Sequence, residues 1–185
     1  MRKIFPFKTT QFRDKINPMN IHVLEMPLDF GGNRHGSDMG PSAIRLAGLK
    51  EELNKLNYSN VEFSSPIQIS RQEQEDIGDS KARYLKPIVN ACNLLAENVE
   101  TVVKSGDFPI VLGGDHSIAL GTLAGLSSAY KGTDKRIGVL YVDAHGDFND
   151  CETSPSGNIH GMCMSASCGY GIPDLTNLYF EGRKI

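Results

Sequence analysis

Three potential metal ligands stand at alternate positions after an apolar segment of this chain. Residues 137–143 read Ile-Gly-Val-Leu-Tyr-Val-Asp, and the ligands are Asp143, His145 and Asp147. In a β-strand, side chains at alternate positions lie on the same face. The pattern therefore predicts a buried strand over 137–143 whose carboxyl end presents two carboxylates and an imidazole together. Charged groups beside a core need a partner, and this donor set suits a divalent cation such as Mn²⁺.

A second apolar segment, 108–112, is followed by Gly-Gly-Asp at 113–115 and then by His116. In an open parallel sheet, binding sites form outside the carboxyl ends of the strands. If the strands 108–112 and 137–143 are neighbours in the sheet, His116 lies close to Asp143, His145 and Asp147 and is a fourth candidate ligand. Either fragment alone also fits an ordinary turn or a helix cap, so the prediction of a metal site depends on their occurring together.

The spacing of apolar residues predicts strands alternating with helices, which favours an α/β fold with a parallel sheet. Ser117 is the expected N-cap of the helix after the second strand, and it would fix the direction of His116. The predicted strands are 20–28, 108–112 and 137–143, with a possible strand within 58–69. The predicted helices are 41–56, 81–105, 117–130 and 162–171, and the predicted loops are 72–80 and 144–161.

The two motifs together resemble the ureohydrolase family, which includes arginases, agmatinases and formimidoylglutamases. They read Gly-Gly-Asp-His-Ser at 113–117 and Asp-Ala-His-Gly-Asp at 143–147, and the Gly-rich segment 31–45 also resembles an early part of that family's chains. The resemblance extends over nearly the whole chain. It implies a three-layer arginase-like α/β fold with a mostly parallel sheet flanked by helices, a centre of two Mn²⁺ ions, and hydrolysis of a guanidino carbon to urea.

Residues 147–161 favour arginase within that family. Arginases follow the metal-binding Asp with an apolar residue and Asn, and then with a loop ending Ser-Gly-Asn-x-His-Gly. This chain has Asp-Phe-Asn at 147–149 and Ser-Gly-Asn-Ile-His-Gly at 156–161. The resemblance implies that hydroxyl and amide groups here bind the α-carboxylate of L-arginine. The residues implied are Asn149, Ser154, Ser156 and Asn158.

Two other interpretations of this segment stay open. Agmatinase, or another guanidino-acid ureohydrolase, is the alternative within the family, and agmatinases act on a substrate that has no α-carboxylate. A polar surface loop is the simpler structural interpretation, because Ser, Asn, Gly and Pro are common in such loops.

The resemblance also assigns roles to the predicted ligands. His116 and Asp147 would bind one Mn²⁺, His145 would bind the other, and Asp143 would bridge both. Two such ions can share a hydroxide at neutral pH, and this hydroxide attacks the guanidinium carbon. The departing ornithine needs a proton, which His160 would deliver because an unperturbed imidazole has a pKa of about 6.5. The predicted catalytic residues are therefore His160 and Asp147.

The chain departs from the family pattern after Asp147. The family's later Asp-x-Asp signature, which supplies the remaining metal ligands, cannot be placed, and Asp150 stands where many relatives have Thr. We therefore expect a single arginase-like domain over 1–185 that is truncated on its C-terminal side. Weak Mn²⁺ binding and little turnover are expected of this polypeptide alone. The alternative from another functional class is a catalytically incomplete fragment that acts as an interaction module.

Composition limits the partners of the chain. Its net charge is −3 and its pI about 5.9, so no basic surface for nucleic acid or an anionic membrane is expected. No apolar segment approaches the roughly 20 residues of a membrane helix, and the N-terminal apolar segment is too short for a secretory signal. Cys163 and Cys168 could pair, but reduced thiols in the cytoplasm are expected. The expected partners are L-arginine, as the substrate in arginine metabolism or a urea cycle, and copies of the full-length chain in a trimer or hexamer.

Overall fold

The computed structural model describes residues 19–185, apart from the side chain of Arg71. The N-terminal segment considered above as a secretory signal, and the first part of the expected 1–185 domain, lie outside these residues. Within them, three strands form a parallel sheet in the order β2-β1-β3. The strands are β1 (Ile21–Met26), β2 (Val61–Phe63) and β3 (Phe108–Gly113). The predicted α/β class is confirmed.

Helices connect and cover these strands. The α-helices are α1 (Gly40–Leu46), α2 (Leu49–Lys55), α3 (Arg71–Gln74), α4 (Leu85–Lys104), α5 (Ile118–Tyr130), α6 (Cys163–Ser167) and α7 (Pro173–Thr176). Short 3₁₀ helices span Ser37–Met39 and Ile159–Met162. No helix described between residues 19 and 185 combines the length and hydrophobicity that a membrane span requires.

Alternate side chains of β1 enter two separate cores, as the period of a strand requires. Ile21 and Val23 pack with Leu53 of α2 in the smaller core. Leu24 and Met26 pack in the larger core with the apolar face of α4. Helices therefore lie on both faces of the sheet, and the predicted three-layer arrangement is confirmed.

The predicted apolar face of α4 is buried along its whole length. Ile88, Cys92, Leu95, Val99 and Val102 recur at helical spacing, and each is at most 7% exposed. The helix begins at Leu85, later than the predicted 81, because the preceding Tyr84 has a left-handed backbone with φ of 55°. Pro87 lies in the first turn, where its missing N–H costs no helical hydrogen bond.

Two predicted elements differ in the structure. The helix predicted over 41–56 is two helices, because Gly48 adopts a φ of 98° between α1 and α2. The strand predicted over 137–143 is wrong: this segment has no regular structure, and Leu140 and Val142 are 91% and 88% exposed. A buried parallel strand needs ladder hydrogen bonds and cover on both faces. Among residues 19–185, β3 pairs with β1 alone, so 137–143 has no ladder beside it.

Candidate metal and substrate site

His116 lies in the tight connection between β3 and α5. This connection is packed against the chain after β1, because a Cβ on Gly114 would lie 2.1 Å from the carbonyl oxygen of Leu28. The backbone N–H of Asp115 donates to the same oxygen at 2.8 Å. The carbonyl oxygen of His116 accepts from Ala119 N–H at 2.9 Å in the first turn of α5. The backbone of His116 is therefore fixed on both sides at the carboxyl end of β3.

Ser117 does not cap α5 as predicted. It occupies the N-cap position, but its Oγ makes no capping hydrogen bond and is buried without a partner among the described residues. The side chain of Asp115 takes this role, because its Oδ1 accepts from Ser117 N–H at 2.8 Å. The prediction was wrong because Ser117 is fully buried and points at Gly31, where a Cβ would lie 1.9 Å from Oγ.

Two of the three ligands predicted at 143–147, Asp143 and Asp147, converge on His116. Its Nδ1 lies 2.8 Å from Oδ2 of Asp143 and 3.1 Å from Oδ2 of Asp147, and the two carboxylates are only 12% and 10% exposed. One ligand atom from each residue lies within 4.8 Å of the others. A hydrogen bond from His145 N–H to Oδ1 is the main reason that the pKa of Asp143 is lowered, so this carboxylate is charged at neutral pH.

His145 lies beside this group rather than within it. Its side chain is 82% exposed, and its Nδ1 is 3.4 Å from Oδ1 of Asp143. The expected strand face of three ligands is absent because 137–143 is not a strand. Instead the chain turns, and Asp147 adopts a left-handed φ of 45° that returns its carboxylate towards Asp143.

Tyr141 is a fourth member of the group that the sequence did not indicate. Its hydroxyl donates to Oδ2 of Asp147 and lies 3.0 Å from Nδ1 of His116. Burial raises the pKa of Tyr141, and the hydrogen bond to Asp147 raises it further, so the phenol keeps its proton at neutral pH. The apolar pattern placed this residue inside a strand, where no polar role was expected.

The segment after Asp147 is held by its backbone against α6. The carbonyl oxygen of Asp147 accepts from Met164 N–H at 3.1 Å and from Ser165 N–H at 3.3 Å. Asn149 N–H donates to Gly161 O at 3.1 Å, and the hydroxyl of Ser165 donates to Asn149 O. The backbone positions of Asp147 and Asn149 therefore depend on α6, and no sequence pattern had connected this helix with the site.

Asp150, whose role the sequence left open, organises the turn before Ser154. Its Oδ1 accepts from Thr153 N–H at 2.8 Å, from Thr153 Oγ1 at 2.9 Å and from Glu152 N–H at 3.0 Å. Hydrogen bonds from Thr153 are the largest cause of the lowered pKa of Asp150. Because Ser154 N–H donates to Asp150 O at 2.9 Å, this turn sets where the following serines begin.

The far end of the same loop is anchored to the segment before α4. Gly157 has a φ of 69°, and a Cβ there would lie 1.9 Å from Ser80 O. Arg83 N–H donates to Gly157 O at 2.9 Å, and Asn158 is buried directly after it. The loop is therefore a fixed wall rather than a free surface loop.

His160 is held by the Gly-rich loop that follows β1. Its backbone N–H donates to Gly31 O at 3.2 Å, and a Cβ on Gly32 would lie 3.2 Å from its Nδ1. The Gly-rich loop after β1 thus touches both the backbone and the ring of His160. A side chain on Gly32 would press on the ring of His160, and one on Gly31 would overlap Ser117 Oγ, 1.9 Å from its Cβ.

The nine residues predicted to bind metal or substrate or to act in catalysis all line one cavity of about 670 Å³. Its volume lies in the range that small-molecule sites in proteins commonly have. The lining combines carboxylates and imidazoles with hydroxyl and amide groups. The predicted residues in its lining are His116, Asp143, His145, Asp147, Asn149, Ser154, Ser156, Asn158 and His160.

The cysteines described between residues 19 and 185 are all free. Cys163 and Cys168, which could have paired by their spacing, are not bonded to each other. Burial raises the pKa of the Cys163 thiol well above its ordinary value. Its Sγ lies 3.2 Å from His116 O, so it serves as a buried packing group beneath the site.

Comparison with known proteins gives a consistent result. The family described as "Arginase family" matches residues 19–182. An arginase from Bacillus caldovelox is 50% identical over 166 residues, which are 89% of this chain and 54% of that protein. An arginase from Bacillus subtilis is 47% identical over 165 residues, with similar coverage. The chain spans about half the length of the curated relatives it matches.

Solved structures of similar fold agree with the sequence comparison. The native arginase of Bacillus caldovelox has a TM-score of 0.82 at 48% identity, covering 90% of this chain and 55% of that one. An Entamoeba histolytica arginase in complex with L-ornithine has a TM-score of 0.79 at 31% identity, covering 88% and 54%.

Proposed function

Because the chain belongs to the arginase family, whose match covers residues 19–182, we propose that its cavity serves the hydrolysis of L-arginine to L-ornithine and urea. The convergence of the two motifs carries this proposal. His116, Asp143 and Asp147 bring ligand atoms within 4.8 Å of one another, in the cavity that the 154–158 loop also lines. The arginase relatives at 47–50% identity favour this substrate over agmatine.

The donor set fits a divalent cation, and we take Mn²⁺ as the ion. Two carboxylate oxygens and one imidazole nitrogen are ligands of the hard to borderline type that Mn²⁺ accepts. His116, Asp143 and Asp147 would hold one ion, and His145, beside Asp143, would contribute to a second. A bound divalent ion supplies Lewis-acid chemistry, because it polarises the substrate and lowers the pKa of a water molecule.

The polarity of the cavity supports arginine as the ligand. L-Arginine carries a guanidinium at one end and an α-carboxylate at the other. The guanidinium would lie towards Asp143 and Asp147. The α-carboxylate would be bound by Asn149, Ser154, Ser156 and Asn158, in the wall that the loop after Asp147 forms. The two loop anchors at Asp150 and Gly157 hold this wall in place, so little ordering of the loop is required when the substrate binds.

His160 would deliver the proton that the leaving amine requires. The ring reaches the cavity, and its backbone is fixed by Gly31, so its direction is set before the substrate binds. An imidazole suits this role near neutral pH because both of its protonation states are accessible there. Asp147, the second predicted catalytic residue, would act by holding the cation at the reacting end of the substrate.

A cytoplasmic location and an oligomeric full-length protein are also part of the proposal. The free cysteines are compatible with a reducing compartment such as the cytoplasm. Assembly of the full-length protein into a trimer or hexamer is a prediction for sedimentation analysis. Weak Mn²⁺ binding by this polypeptide alone also stays a prediction, and sub-micromolar binding of two Mn²⁺ ions in calorimetry would contradict it.

Urea release from L-arginine and from agmatine tests the proposal, measured with excess Mn²⁺ and long incubation because weak Mn²⁺ binding and little turnover are expected of this polypeptide. We expect release from L-arginine to exceed release from agmatine and to be lost in His160→Asn. The matched control is His22→Asn. His22 lies on β1 and pairs with Asp107, and neither residue lines the cavity. An NMR titration with L-arginine provides a second readout that does not need turnover. A preference for agmatine would contradict the proposal. The absence of both urea release and L-arginine binding would also contradict it, and would favour the interaction module.

A further inference from the structure

Asp115 is a charged residue next to the site that the proposed chemistry does not use. Its side chain accepts two backbone hydrogen bonds. Oδ2 accepts from Gly31 N–H at 2.7 Å, and Oδ1 accepts from Ser117 N–H at 2.8 Å. One carboxylate therefore joins the start of α5 to the Gly-rich loop after β1. Hydrogen bonds to a charged acceptor are stronger than those between neutral groups.

Gly31 connects Asp115 to His160 through a single peptide unit on each side. Its N–H is bound by Asp115, and its carbonyl oxygen accepts the backbone N–H of His160 at 3.2 Å. The next residue, Gly32, faces the imidazole, since a Cβ there would lie 3.2 Å from Nδ1 and 3.4 Å from Cε1 of His160. Any displacement of this loop would therefore move both the backbone and the ring of His160.

The loop has no room to move towards Asp115. A Cβ on Gly31 would lie 1.9 Å from Ser117 Oγ and 2.7 Å from Asp115 Oδ1. Ser117 Oγ is itself buried and without a hydrogen-bond partner among the described residues, so it acts here as a packing surface. The loop is thus clamped between Ser117 and the imidazole of His160, and the hydrogen bond to Asp115 keeps it there.

We propose that Asp115 is a positioning residue for His160, acting through Gly31 to set the direction of the imidazole in the cavity. The proposal rests on the proposed function only in the part that concerns proton delivery. The structural part, that the ring of His160 depends on the Asp115 carboxylate, stands by itself. A displacement of about 1 Å at a catalytic group can cost on the order of 100-fold in rate.

Asp115→Asn is the informative variant because it keeps the size of the side chain. An amide offers one oxygen and one NH₂ group, so one of the two backbone N–H donors would face another donor. The matched control is Asp107→Asn, since Asp107 also flanks β3 but lies at its amino end, where it bonds to His22 at 3.0 Å. Gly32→Ala is a second variant, because its methyl group would press on the ring while leaving the Asp115 hydrogen bonds in place.

Side-chain NMR of histidine in the metal-free chain provides the first readout, because paramagnetic Mn²⁺ would broaden the signals of a ring in the same cavity. We expect the imidazole signals of His160 to shift in Asp115→Asn and in Gly32→Ala, and to stay unchanged in Asp107→Asn. Backbone amide spectra of the same samples report whether each variant is folded. Unchanged His160 signals in folded Asp115→Asn, or the same shifts in the control, would overturn the proposal. This readout needs no turnover, so it separates a failure of this proposal from a failure of the proposed function.

Steady-state kinetics of urea release provides the second readout. We expect kcat in Asp115→Asn to fall roughly 10- to 100-fold, with KM for L-arginine and the Mn²⁺ affinity nearly unchanged. Gly32→Ala should follow the same split. A large loss of Mn²⁺ affinity would show that Asp115 acts through the neighbouring His116 instead, and would overturn the assignment to His160.

Discussion

Tyr141 donates a hydrogen bond to Oδ2 of Asp147, the same oxygen that lies 3.1 Å from Nδ1 of His116. The phenol hydroxyl therefore lies against one ligand atom of each of two proposed metal ligands, Nδ1 of His116 and Oδ2 of Asp147. Its ring also meets the His116 imidazole edge-on, with centroids 5.7 Å apart. A cation that binds between His116 and Asp147 must compete with this hydroxyl.

Tyr141→Phe should tighten Mn²⁺ binding because it removes that competing donor. A hydrogen bond to a charged group contributes about 1.5–3 kcal/mol, so roughly a tenfold or greater gain in affinity is expected. Titration calorimetry with Mn²⁺ measures the effect. Tyr58→Phe is the control, since Tyr58 packs against the smaller core. Weaker binding by Tyr141→Phe would mean that the phenol supports the metal site rather than competing with the ion.

Asn149→Ala should raise the KM for L-arginine by about tenfold and leave Mn²⁺ affinity nearly unchanged. The reason is the loss of one hydrogen bond to the substrate carboxylate, which is charged. Agmatine has no such carboxylate, so its KM should stay the same, and the ratio of the two substrates becomes the decisive quantity. Asn54→Ala on the exposed face of α2 is the control. An equal change in KM for both substrates would mean that Asn149 does not act by binding the α-carboxylate.

The sequence predicted the composition of the site better than its geometry. Spacing and residue type indicated the four metal ligands, and the family resemblance implied the other five residues; all nine line one cavity. The convergence of Asp143 and Asp147 was expected for the wrong reason, because it was derived from a strand at 137–143. A turn with a left-handed Asp147 brings them together instead. Apolar periodicity describes a segment's faces, but it does not say which partner strand supplies the ladder hydrogen bonds.

Tertiary approach explains what the sequence could not indicate. Gly31 and Gly32 look like ordinary glycines of a Gly-rich segment, and only the fold shows that they lie against Ser117 and His160. The same holds for Ser117, whose position at the start of α5 matched the expected cap. Its burial reversed the expectation and left Asp115 to cap the helix. These contacts join residues far apart along the chain, which a local pattern does not record.

Asp150→Ala should loosen the turn before Ser154, and its effect on stability should depend on pH. The pKa of Asp150 is lowered in the folded chain, chiefly by hydrogen bonds from Thr153. A carboxyl with a lowered folded-state pKa contributes stability above its unfolded-state pKa of about 3.9, and this is lost as the pH falls through the folded value. The Tm difference between wild type and Asp150→Ala should therefore be present at neutral pH and narrow in acid.

Thermal unfolding followed by circular dichroism at neutral and acidic pH measures this difference. Asp134→Ala, at an exposed position after α5, is the control and should show no such dependence. A Tm difference that stays constant down to acid would mean that the turn depends on packing rather than on the ionised carboxylate.

Gly121→Ala should destabilise the chain by separating α4 and α5. A Cβ on Gly121 would lie 2.6 Å from the carbonyl oxygen of Cys92 and 3.0 Å from Cβ of Leu95, and backbone atoms cannot yield as a flexible side chain can. Alanine normally favours a helix over glycine by about 1 kcal/mol. Overpacking costs typically 1–3 kcal/mol, so the clash should outweigh this gain.

Urea denaturation measures the free energy of unfolding of Gly121→Ala against wild type. Gly138→Ala is the matched control, because a Cβ on Gly138 would meet nothing within 4 Å. Since only Ser117 separates His116 from α5, a shift of α5 should also weaken Mn²⁺ binding in the Gly121 variant and not in the control. An unchanged or higher stability would mean that α4 and α5 can separate without cost, and that the close backbone approach is not what holds α5 beneath the site.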